Sequence, residues 1–123
     1  MATLNMKGPY SFDSDEINRV VAEGTIGNYA LGRTNTDGAF NVLYVGRSVD
    51  VRKRLHEHLT SATDDWSEVT QFKFSTASNE VEAYKKECQN WHDFGESNLL
   101  HDNEYHPAKP DGQTELKCPV CGQ

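Results

Sequence analysis

Apolar and polar residues along this chain alternate in two rhythms, one helical and one extended. Ile17, Val20 and Val21 fall on one face of a short helix over about residues 15–22, with Asp13 or Ser14 in position to cap it. Gly24 and Gly27 break the chain, and Tyr29, Ala30 and Leu31 begin a strand. Residues 40–45 form the next strand, and the polar link before it ends in Asp37-Gly38, a strong hairpin signal. In such a hairpin Tyr29 lies near the start of one strand and Tyr44 near the end of its partner, so the two rings should be neighbours. Val51, Leu55 and Leu59 then recur every fourth residue and predict a helix over 50–59. Arg54 and His58 are also four apart and share a face beside that stripe. Residues 61–67 are polar and read as a loop. Residues 69–76 (VTQFKFST) alternate like a strand, and a longer helix follows over 80–94, capped by Ser78 or Asn79 and ended by Gly95. Its buried stripe is Val81, Tyr84, Cys88 and Trp91, with Glu87 on the flank.

The two ends of the chain read differently. Residues 1–9 look like a flexible arm, with Tyr10 and Phe12 free to dock on the core. Residues 96–123 contain Pro107, Pro110, Gly112 and Pro119 and few apolar residues, so this tail needs an anchor other than a hydrophobic core. The organisation expected is an arm and short helix (1–24), a core (25–95) and a C-terminal extension packed on it (96–123). With 123 residues there is room for one modest domain.

Composition narrows the class. Mean hydropathy is −0.75, and no run approaches the roughly 18 apolar residues of a membrane span. The first ten residues hold no apolar targeting core, so a cytoplasmic protein without membrane contact is the default expectation. The net charge of −7 counts against a non-specific duplex binder, because phosphate neutralisation supplies much of that affinity. It leaves room for a local positive field. Such a field is expected at 44–58 (YVGRSVDVRKRLHEH), a strand, a glycine turn and a helix holding Arg47, Arg52, Lys53 and Arg54.

The ordered set Tyr29, Tyr44, Gly46, Arg54, His58 and Glu87 on a β-β-α-β-α frame resembles the GIY-YIG nuclease family. Gly27-Asn28-Tyr29 stands where that family has GIY, and Tyr44-Val45-Gly46 where it has YIG. Arg47-Ser48, Asp50 and Arg54-Leu55 continue the pattern to His58, and Glu87 stands at the family's metal-binding glutamate. Asn28 replaces an apolar residue, which a strand-edge adjustment should accommodate. The family's later asparagine falls at Leu99 here, and Asn103 in HDNEYHP is taken in its place, after an inserted loop. The resemblance spans about residues 27–91. It implies a small α/β domain with a three-stranded antiparallel sheet flanked by helices, acting as a metal-dependent endonuclease on DNA.

Residue chemistry agrees with that implication. Glu87 is a hard oxygen ligand suited to one Mg²⁺ or Mn²⁺. Arg54 offers a planar fork that cannot lose its charge. Tyr29 and Tyr44 can hydrogen-bond water and phosphate. The resemblance implies that Tyr29 is the general base; a phenol with an ordinary pKa of roughly 10 then needs a nearby cation. His58 is the competing base or a proton relay. Gly46 admits close backbone approach, and Arg47, Arg52 and Asn103 are phosphate contacts. The alternative class is a nucleic-acid-binding or protein-interaction module that keeps the fold without turnover. Monomer and weak homodimer both remain open, as does a protein partner that supplies specificity.

Three cysteines, an odd number, suggest thiols or metal before disulfides. Cys118-Pro119-Val120-Cys121-Gly122 is a CxxC knuckle of the kind that presents two thiolates to one tetrahedral ion. Cys88 and His92, four apart on the last helix, complete a Cys3His set for a structural Zn²⁺ that clips the tail to the helix bearing Glu87. His101 or His106 can substitute for His92.

Overall fold

The structure, a computed structural model, describes residues 4–60, 69–93 and 116–122. Among these residues seven elements run in the order β1 (Lys7–Ser11), α1 (Ser14–Val20), β2 (Gly27–Thr34), β3 (Phe40–Ser48), α2 (Val51–Thr60), β4 (Gln71–Thr76) and α3 (Glu80–Asp93). The polar loop expected at 61–67 and the helix end expected at Phe94 and Gly95 lie outside the described residues.

Among the described residues the sheet has four strands, not three, in the order β1-β4-β2-β3 with antiparallel neighbours throughout. The added strand comes from the stretch expected to be an arm. Lys7, Tyr10 and Ser11 pair with Phe74, Phe72 and Gln71 of β4. Tyr10 holds this edge in place by packing its ring 5.6 Å from Phe72 and 6.0 Å from Phe74. Pro9 lacks an N–H, which suits an edge strand and would be excluded from a central one.

β2 lies in the centre, and the two faces of the sheet are covered by different elements. Tyr29 and Leu31 point to the side where Ile17 and Val21 meet Val51 and Leu55 of α2. Ala30 points to the opposite side, where Leu4 and Trp91 of α3 close over it with Val42 and Val45. Both faces of β2 are thus dry, and the strand reads almost without polar alternation. The exception is Asn28, fully buried, whose side-chain amide donates to the Ala83 carbonyl of α3 at 2.8 Å. It is therefore a tie between the central strand and α3, and it is accommodated by this hydrogen bond and not by an adjustment at a strand edge.

Local signals account for the element ends. Asp13 caps α1 by accepting from the Glu16 N–H at 2.8 Å. Asp50 and Asn79 do the same for α2 and α3 through Lys53 and Glu82. The β2–β3 link closes with Asn35 and Ala39 bonded, and Gly38 at φ +89 provides the left-handed residue the turn requires. The buried face of α3 is wider than the expected stripe: Ala83 and Asn90 are buried, and Val81 is only half-buried. The cause is that α3 packs against the sheet on one side and against Leu116 and Cys118 on another.

Candidate active site and candidate metal centre

Hairpin register brings the two tyrosines together. Tyr29 pairs with Gly46 and Leu31 with Tyr44, so Tyr29 and Tyr44 project from the same face of neighbouring strands. Their rings stack with centroids 6.2 Å apart. Gly46 has a steric reason to be glycine. A Cβ built there would lie 2.5 Å from both Cζ and the hydroxyl of Tyr29. The glycine thus lets the Tyr29 ring lie flat across β3; the room was expected to serve approaching backbone.

α2 supplies two further residues. His58 is buried, and its Nε2 shares a 2.8 Å hydrogen bond with the Tyr29 hydroxyl. Its ring lies 5.5 Å from that of Tyr29 and edge-on to Tyr44 at 5.3 Å. Arg54, one turn earlier, remains half-exposed and reaches Glu57 at 3.5 Å. Arg52, two residues from Arg54, points away around the helix and binds Asn18 and Glu23 on the α1 side. The structure therefore does not bring this expected phosphate contact to the others.

Glu87 comes from α3 and is 12% exposed. It pairs with Arg47 at 2.5 Å, while the nearby lysines go elsewhere: Lys85 to Glu82, and Lys86 to Asn5 and Ser75. The Arg47 guanidinium also sits over the Tyr84 ring at 5.3 Å. Register explains the pair, because Arg47 lies opposite Asn28 and both side chains face α3.

These residues surround one pocket of about 350 Å³. Tyr29, Tyr44, Gly46, Arg47, Arg54 and Glu87 line it, joined by Ser48, Val49, Glu80 and Ala83. Glu80 was not anticipated. It precedes Glu87 by seven residues, two helical turns, so its place on the same face was readable from spacing. Val49, an exposed apolar residue, also lines the pocket. The pocket thus holds two guanidinium groups against two carboxylates, and its charge is nearly balanced. Asn103 lies outside the described residues.

Burial, and next the neighbouring Tyr44, push the Tyr29 phenol well above its ordinary value, while Arg54 draws it back down. Burial raises Tyr44 too, again opposed by Arg54. Both phenols are protonated at neutral pH in this state. Tyr29→Phe removes the hydroxyl bonded to His58 and is expected to cost about 1–2 kcal/mol of stability by urea unfolding. An unchanged midpoint would mean that the bond contributes nothing.

A second cluster lies near the C-terminal end of α3. His92, Cys118 and Cys121 each bring a ligand atom within 4.8 Å of the others. Cys88 is not in that group. It is buried against Tyr84 and Cys118, and burial pushes its thiol up to about 12. Three of the four expected ligands therefore come together, and Cys88 adjoins them through Cys118. His101 and His106 lie outside the described residues.

Comparison of the chain with protein-family models, curated proteins and solved structures gives no significant match. Among the described residues no helix is long and apolar enough to cross a membrane.

Proposed function

We propose that the Tyr29–Glu87 pocket hydrolyses DNA phosphodiester bonds in the manner of a GIY-YIG endonuclease. The observation that carries this reading is convergence: β2, β3, α2 and α3 each send one chemically suited side chain, Tyr29, Tyr44, Arg54 and Glu87, to one pocket. Residues that were merely strand aromatics and a solvated helix face would have no reason to meet there.

Glu87 suits a hard divalent cation: its carboxylate lines the pocket, and the pocket has room for the waters Mg²⁺ keeps. Mg²⁺ or Mn²⁺ held there would neutralise charge on the phosphoryl oxygens and add the positive potential that a balanced pocket lacks. The remaining work falls to the chain. Arg54 holds a non-bridging phosphate oxygen through its fork. Tyr44, stacked on Tyr29, hydrogen-bonds the same phosphate. The Tyr29 hydroxyl takes a proton from the attacking water as its own proton passes to His58 Nε2, 2.8 Å away. This relay avoids a free phenolate in a site where burial opposes one. Arg47, already bound to Glu87, orients the carboxylate.

One observation favours the alternative of a binding module without turnover. The Arg47 guanidinium already neutralises Glu87, and the chain is acidic. The experiment that separates the two incubates the protein with labelled branched, single-stranded and duplex DNA in Mg²⁺ and in EDTA. The nuclease reading predicts cleavage of at least one substrate in Mg²⁺ and none in EDTA. Binding of all three with no cleavage under either condition would establish the module instead.

A further inference from the structure

We infer that His92, Cys118 and Cys121 form a zinc site, separate from the pocket, that fastens the 116–122 segment to the last turn of α3. Three observations support it. The ligand atoms already lie within 4.8 Å of one another, although His92 and the cysteines belong to distant parts of the chain. The cysteines sit on a built turn: the Gly122 N–H donates to the Cys118 carbonyl at 3.0 Å, and Gly122 takes φ +77, which a side chain would strain. The segment is also seated on the helix, with Cys118 buried and Leu116 packed beside Tyr84 and Cys88.

Donor chemistry selects the ion. Two thiolates and an imidazole are borderline-soft ligands that suit Zn²⁺ and are poor for Mg²⁺, which wants oxygen. The reverse holds for Glu87. The two sites therefore sort two metals by donor type on one helix. Glu87 and His92 are five residues apart, about 140° around the helix, so they face different surroundings. A disulfide between Cys118 and Cys121 would use the same sulfurs but give His92 no part, and neither cysteine is disulfide-bonded here. Few apolar side chains hold the 116–122 segment, so binding energy from the ion has a clear use. The inference does not depend on the nuclease reading.

The test uses the full chain purified without added metal. Elemental analysis is expected to give about one zinc per chain in the wild type and in Glu87→Gln, and less than about one-tenth as much in Cys118→Ser and His92→Ala. Wild-type protein stripped by a chelator and refilled with Co²⁺ should show the strong visible bands of a tetrahedral site with thiolate-to-cobalt charge transfer. This second measurement stands even where a variant fails to fold. Stripping should also lower Tm by on the order of 10 °C. Stoichiometric zinc in Cys118→Ser, or a wild type that holds no zinc and gives only the weak octahedral cobalt spectrum, overturns the site.

Discussion

Glu87→Gln is expected to lower Mg²⁺-dependent cleavage by on the order of 10³-fold while leaving the fold intact. The change keeps size and hydrogen-bonding capacity but removes the only charge that Glu87 offers a cation. Glu80 does not compensate, since it lies two turns away, about 10 Å along the helix. The fold should tolerate the change because Glu87 is not in the apolar core; its partner is Arg47, which keeps its place over Tyr84. The pair is mostly buried, so losing its charge is expected to cost about 1–3 kcal/mol, with the glutamine oxygen still able to accept from Arg47. Single-turnover rates together with a urea unfolding curve check both halves of the statement. A variant that cleaves at the wild-type rate would show that the carboxylate holds no catalytic cation. A variant that unfolds would show that the Arg47 pair is structural.

The second large effect is on the scaffold. Gly46→Ala places a methyl 2.5 Å from the Tyr29 ring and hydroxyl, a separation that real Cβ atoms do not show. Tyr29 has no free direction to move. It is 1% exposed, stacked on Tyr44, bonded to His58, and rooted in the central strand. Either the β2–β3 pairing opens or the ring turns and gives up the His58 bond. Overpacking of this kind costs about 1–3 kcal/mol, and a tightly held ring in a central position should place this case at the upper end. The expected readout is a large fall in the urea midpoint, accompanied by lost activity, since the phenol that moves is the one facing the pocket. A midpoint within about 0.5 kcal/mol of the wild type would mean that Tyr29 is less confined than its contacts indicate.

How far these features were readable in the sequence depends on whether neighbours along the chain were enough. α2 and α3 follow from apolar spacing and from Asp50 and Asn79 at their starts. The hairpin follows from Asp37-Gly38, and the meeting of Tyr29 and Tyr44 follows from the hairpin. β1 was missed because KGPYS has one inward residue, Tyr10, and an edge strand with a proline carries no alternation to detect. The burial of Asn28 is not legible locally for a related reason. Whether a strand is central depends on β4, which arrives some forty residues later.

Tertiary pairing hid the rest. Nothing local says that Arg47 will meet Glu87, since one is on β3 and the other on α3; the two act together only after α3 crosses the sheet. Nor does spacing reveal that His58 is more buried than Leu59, although Leu59 belongs to the apolar stripe. His58 is buried because the Tyr29 hydroxyl is there to receive it, and a polar residue enters a core on such terms. Arg52 was grouped with Arg54 by sequence proximity, yet two positions on a helix separate rather than unite. Glu80 is the converse case: its seven-residue spacing from Glu87 placed it on the pocket wall, and the signal was there to be used. For the candidate metal centre, the CxxC knuckle and the helix-borne His92 are legible from residue type, whereas the packing of Cys88 against Tyr84 and Cys118 depends on tertiary contacts.

The central claim is that Tyr29, Tyr44, Arg54 and Glu87 form one phosphodiester-cleaving site. Its most direct test is single-turnover cleavage of one labelled DNA in Mg²⁺ by wild type, Arg54→Ala and Glu87→Gln, side by side and with folding verified. The account predicts measurable cleavage by the wild type and a loss of about 10²-fold or more in each variant. Equal activity in all three proteins would contradict it.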